Sequence, residues 1–117
     1  MLIVEDFEIV RVMLCEALER SCRCLAVGTA EEALGLIAET TVDVVITDLK
    51  LPGMDGLGLL GELRARFPGV PVIVVTGGVE GVGEREALEA GAFGYLLKPY
   101  PVDEVEAMVL RAAGGNR

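Results

Sequence analysis

At 117 residues, 52% of them apolar, the chain has room for one domain with one core, and disorder is excluded. Its 19 Asp and Glu against 10 Lys and Arg give a net charge of −9, with no histidine. That balance argues against a nucleic-acid-binding face and removes the usual neutral-pH acid–base residue and metal ligand. No apolar run approaches the roughly 18 residues of a membrane span, and no export signal opens the sequence, so a cytoplasmic protein is expected.

The apolar pattern changes period repeatedly along the chain. Met1–Val4 is a short apolar run, followed by a helical pattern that places Val10, Met13, Leu14, Ala17 and Leu18 on one face. Leu25–Val27 is a second run. Thr29 and Glu32 then form a capping-box pattern, opening a helix that buries Ala33, Leu34, Ile37 and Ala38. Val42–Thr47 is a third run, rich in β-branched residues. Pro52 and Gly53 mark a turn, Asp55 is a candidate N-cap, and Leu60, Leu63 and Phe67 share a helix face. Val70–Thr76 is a fourth run. A weak helix around Glu84–Ala90 precedes a fifth run at Phe93–Leu97. The last helix carries Val102, Val105, Met108, Val109 and Ala112 at helical spacing, with Leu110 off that stripe.

Five strands thus alternate with five helices. The third and fourth runs are continuously apolar rather than alternating, as in strands covered on both faces of a parallel sheet. The expected fold class is α/β, a doubly wound parallel sheet with right-handed crossovers. Residues 1–113 read as one domain and 114–117 as a tail or the start of a linker. Three cysteines, Cys15, Cys22 and Cys24, lack the further ligands of a zinc site and read as small, partly buried side chains.

In an open parallel sheet, ligands bind beyond the carboxyl ends of the strands. Glu5 and Asp6 follow the first run, Asp48 the third, Thr76 ends the fourth, and Lys98 with Pro99 follows the fifth. The second run ends in Gly28, which offers no chemistry and suggests an edge strand. Three carboxylates on one rim repel one another and call for a hard cation such as Mg²⁺. Adding a lysine and a hydroxyl makes a set suited to moving a phosphoryl group onto aspartate.

The segments LIVEDFEIVR (2–11), VVITDLKLPGMDG (44–56), VIVVTG (72–77) and GAFGYLLKP (91–99), in this order, resemble the receiver domain of bacterial two-component response regulators. The resemblance covers essentially the whole chain. It implies a flavodoxin-like (βα)5 fold of strand order 2-1-3-4-5, and a non-enzymatic switch whose own chemistry is limited to self-phosphorylation and autodephosphorylation. It also implies that Asp48 is the phosphoacceptor, served by a sensor histidine kinase or phosphotransfer protein. Asp6 would be a direct Mg²⁺ ligand, Glu5 a ligand through water and Lys50 a ligand through its main-chain carbonyl. Thr76 would be the switch hydroxyl, Tyr95 the aromatic that moves with it, and Lys98 the phosphate-binding lysine, followed by a cis proline bond. Signal output, often through a homodimer, would use the face of the fourth helix, fifth strand and fifth helix, where Leu110 is a candidate contact.

Two features depart from the common pattern. A Glu-Asp pair stands where many relatives have two aspartates, and Gly77 stands where alanine is usual. Glycines 77, 78, 81 and 83 crowd the segment after the fourth strand, so a late-starting or mobile fourth helix is expected, with weak amide protection over Val79–Arg85. Other functions fit less well. An aspartyl phosphatase would place its nucleophile after the first strand, and a nucleotide module would need glycines there. An unphosphorylated interaction scaffold remains the alternative.

Overall fold

The computed structural model describes residues 1–19, 23–77 and 82–114. Strands β1 (Leu2–Val4), β2 (Leu25–Val27), β3 (Val45–Thr47), β4 (Val72–Thr76) and β5 (Gly94–Leu97) alternate with helices α1 (Glu8–Leu18), α2 (Ala30–Glu39), α3 (Gly56–Arg66), α4 (Glu84–Glu89) and α5 (Val102–Gly114). All four strand pairings are parallel, in the order β2-β1-β3-β4-β5. The doubly wound sheet expected from the apolar runs is therefore present, with β2 at one edge.

The sheet separates two cores, because successive strand residues point to opposite faces. Leu2, Val4, Val45, Val72 and Val74 pack with Leu59, Leu60 and Leu63 of α3, with Ala33 and Ile37 of α2 and with Ala87 of α4. Ile3, Ile46, Ile73 and Val75 pack with Leu14 and Leu18 of α1 and with Val105 and Val109 of α5. Both faces of the central strands are covered, which explains their unbroken apolar runs.

Local signals act as their chemistry dictates. Thr29 Oγ1 accepts from the Glu32 amide at 3.1 Å, and Asp55 Oδ1 accepts from the Gly58 amide at 2.8 Å, so both helices open on a side-chain cap. Gly53 has φ 72°, the left-handed conformation that favours glycine in the turn after Pro52.

Three readings shift. The α1 stripe is narrower than its apolar content suggests: Leu14 and Leu18 are buried, but Met13 is 64% exposed. With Ile9, Val10, Val12, Met13 and Leu14 all apolar, the sequence leaves the phase of the stripe open, and packing on the sheet selects it. On the same grounds Ala38 and Val102 face outward, while Leu110 is exposed as expected. β3 forms ladder pairs from Val45, although Val42 and Val44 before it are buried too. α4 spans Glu84–Glu89, in line with the weak helix expected around Glu84–Ala90; residues 78–81 of the glycine-rich segment, and Cys22, lie outside the described residues. Cys24 is buried and Cys15 partly so.

Candidate functional site

Strand register brings the polar residues together. Val4 pairs with Thr47, Thr47 with Val74, and Thr76 with Leu97. Hydrogen bonding then runs one step past the strands. The Glu5 amide donates to the Val27 carbonyl at 3.1 Å, Asp48 to Val4 at 3.1 Å, and Lys98 to Thr76 at 2.7 Å. The residue after each apolar run is thereby locked to its neighbour along one rim.

A cavity of about 590 Å³ opens there, lined by Asp6, Asp48, Lys50, Thr76 and Lys98, with apolar walls from Phe7, Leu51 and Pro52. Gly77 also lines it, and a Cβ added at that glycine would meet nothing within 4 Å. The rim therefore has room for the alanine common in relatives.

The Asp48 carboxylate, 7% exposed as a residue, is held on both oxygens. Lys98 Nζ donates to Oδ2 at 2.8 Å, and the Lys50 amide donates to Oδ1 at 3.2 Å. Lys98 reaches over the end of β4 and also donates to Glu5 Oε1 at 2.7 Å. The Phe7 amide takes the other Glu5 oxygen, Oε2, at 3.2 Å. Glu5 is 2% exposed, so its charge depends on these partners.

For Lys98, burial pulls the ammonium pKa down. Hydrogen bonds to Asp48 and Glu5, and the charges of both carboxylates, outweigh it and hold the pKa above the ordinary lysine value. Tyr100 lies close enough to feel the same charges. Burial raises its phenol pKa, Lys98 opposes that, and Glu5 and Asp48 add to it.

One ammonium faces three carboxylates, so the rim keeps a negative surplus that suits a hard divalent cation. The donors among the lining residues suit Mg²⁺: Asp6 and Asp48 carry carboxylates, and Lys50 a backbone carbonyl. Among the described residues no group of three or more carboxylate, thiol or imidazole side chains converges as a ready-made metal cage. Both Glu5 oxygens are engaged, one by Lys98 and one by the Phe7 amide.

Thr76 lines the cavity and is 1% exposed. Tyr95 stands apart from the rim, half-buried, with its hydroxyl donating to the Val82 carbonyl at 3.4 Å just before α4. The Lys98–Pro99 bond is cis. Sequence reasoning missed two things here. It did not foresee the Glu5–Lys98 pair, which two residues 93 positions apart could not announce. It also missed Arg11, whose Nη1 donates to the Glu5 carbonyl at 2.9 Å. The sole sequence signal for Arg11 is a lone cation among the apolar residues of α1.

The family profile of the response regulator receiver domain matches residues 1–110. Over 111 residues the chain is 38% identical to the DNA-binding transcriptional regulator NtrC of Salmonella typhimurium, covering 94% of this chain and 24% of that protein. It is 37% identical over 119 residues to the two-component response regulator PhoP of Pseudomonas aeruginosa, covering 98% of this chain and 53% of that one. The chain thus spans about a quarter to about half the length of these relatives. Among solved structures, the Francisella response regulator 1452 receiver domain matches with a TM-score of 0.91 and 26% identity, over 99% of this chain and 97% of that one. A response regulator receiver domain protein from Clostridium thermocellum matches at 0.91 and 28% identity, over 98% and 94% of the two chains. Among the described residues no helix is long and apolar enough to cross a membrane.

Proposed function

This chain belongs to the response regulator receiver family, and from that premise we propose that Asp48 accepts a phosphoryl group and so switches a protein partner or an attached output domain. One observation carries the reading. A nearly buried carboxylate at the end of β3 lines an open cavity, fixed between the Lys98 ammonium and the Lys50 amide.

In the proposed reaction a carboxylate oxygen of Asp48 forms a bond to phosphorus as the phosphorus–nitrogen bond of a phosphohistidine breaks. The donor is a sensor histidine kinase or a phosphotransfer protein, and a small acyl phosphate serves in vitro. Asp6, Asp48 and the Lys50 main-chain carbonyl would hold Mg²⁺, with Glu5 acting through water, and the ion would supply Lewis-acid neutralisation of the phosphoryl oxygens. Lys98 supplies a second positive charge, and exchanges its bond to Asp48 for one to a phosphoryl oxygen. Thr76 supplies a hydroxyl from the next strand end. Its engagement draws in the segment after β4, and Tyr95 on β5 exchanges its contact with Val82.

The output face is made of α4, β5 and α5, where Leu88, Leu97 and Leu110 are 43%, 55% and 52% exposed, and a homodimer through that face is the expected active form. The protein acts in the cytoplasm as a phosphoacceptor, its own chemistry limited to phosphorylation and hydrolysis of Asp48. Residues 1–113 form the receiver unit and 114–117 a tail or linker. With a net charge of −9, this unit does not itself bind DNA, whatever a longer chain does.

The test is intact mass after incubation with acetyl phosphate and Mg²⁺. Wild type should gain one phosphoryl group, and Asp48→Asn or metal chelation should prevent it. No gain in folded wild type would leave an interaction scaffold as the reading.

A further inference from the structure

Glu5 is fixed from more directions than a strand-end turn needs. The Glu5 amide bonds the Val27 carbonyl, and its side chain is shared by Phe7 and Lys98. Its carbonyl accepts from Arg11 Nη1 at 2.9 Å. Arg11 lies one turn into α1, where a long cation could extend into water. Instead its side chain is 21% exposed, and its ion pair with the exposed Glu8 is loose at 3.8 Å. The guanidinium has turned inward to a backbone oxygen.

Gly28, at the end of β2, makes the seat possible. A Cβ built there would lie 2.8 Å from Arg11 Nη1 and 3.8 Å from Glu32 Oε1. The Gly28 amide is itself held by Glu32 Oε1 at 3.3 Å, and Glu32 is tied into the α2 cap through Thr29. Cap, glycine and arginine therefore form a chain of contacts from α2 to the acidic turn.

We propose that Arg11 is a positioning residue for the metal site: seated in the space left by Gly28, it holds the Glu5 carbonyl and thereby aims Asp6. The inference rests on the reading of Asp6 as a cation ligand. Arg11 touches neither cation nor phosphoryl group; it acts through the peptide between Glu5 and Asp6. Replacing it frees that peptide to rotate and lowers cation affinity.

The experiment is a double-mutant cycle of wild type, Arg11→Gln, Gly28→Ala and the double variant. Mn²⁺ binding is read from the electron paramagnetic resonance of the free ion, with Mg²⁺ as competitor, alongside urea unfolding. Gly28→Ala presses on the far end of a flexible side chain, so it displaces the guanidinium while leaving backbone in place. Arg11→Gln should weaken cation binding roughly tenfold, as loss of an outer-sphere positioning group does. Gly28→Ala should weaken it by a smaller factor. The double variant should bind no worse than Arg11→Gln, because both changes remove one and the same bond.

Equal affinities in all four proteins, or factors that multiply in the double variant, overturn the proposal. A lowered urea midpoint with unchanged affinity overturns it too, leaving Arg11 a structural role alone. If Arg11→Gln does not fold, Gly28→Ala decides by its affinity against wild type. A wild type that binds no cation defeats the metal reading and this inference together, an outcome distinct from a wild type that binds and variants that bind as well.

Discussion

α3 has eleven residues, a side-chain cap at Asp55, and three leucines (Leu59, Leu60 and Leu63) with no exposed surface. α4 packs on the same core but has six residues, a glycine at its N-cap and Ala87 as its one buried residue. Its start is held mainly by Glu86 Oε1, which accepts from the Gly83 amide at 2.8 Å, and by the contact of Tyr95 with Val82. A helix that short has no stability of its own, and one buried alanine contributes little beside three buried leucines. Asp48, the proposed acceptor, thus sits between two strongly held elements, β3 and α3, while the expected response face is built on the weakest helix. A switch needs that inequality: one side keeps its geometry while the other exchanges contacts.

The largest break in the comparison is Leu63→Ala, which empties a fully buried site in α3 and should cost about 3 kcal/mol of unfolding free energy in urea. Gly56→Ala comes next. Its Cβ would stand 2.2 Å from the Asp48 carbonyl oxygen and 2.7 Å from Leu49 Cα, and neither is the end of a flexible chain. A loss of about 2 kcal/mol is expected, with slower phosphoryl uptake because the turn carrying Asp48 must shift. Asp55→Ala removes the cap of α3 and should cost about 1 kcal/mol. Leu88→Ala, on the exposed side of α4, should change stability by less than about 0.5 kcal/mol. Hydrogen exchange sharpens the contrast without mutation, since amides of α4 should exchange faster than those of α3. Equal protection of the two helices would remove the inequality.

The sheet was legible because β-branched runs such as Val72–Thr76 are buried on both faces and read the same way in sequence and structure. Caps at Thr29 and Asp55 were legible because their bonds span three residues. Met13 was not, because nearly every position around it is apolar and the sheet, not the helix, selects the buried phase. The gathering of Glu5, Asp6, Asp48, Thr76 and Lys98 followed from a general rule about strand ends. Which oxygen meets which donor did not follow. Lys98 bonds Glu5 and Asp48 together because β1 and β3 end level at Val4 and Thr47 while β5 runs past that row to Leu97, a fact of register rather than of local sequence. Arg11 was invisible for the same reason, since its partner is a backbone carbonyl and its space is an absent Cβ at Gly28.

The most direct measurement captures the acyl phosphate where it forms. After incubation with acetyl phosphate and Mg²⁺, borohydride reduction converts a phosphorylated aspartate to homoserine, and peptide mass mapping locates it. The account predicts homoserine at position 48 and at no other carboxylate. Homoserine elsewhere, or none in protein that has gained a phosphoryl group, would contradict it.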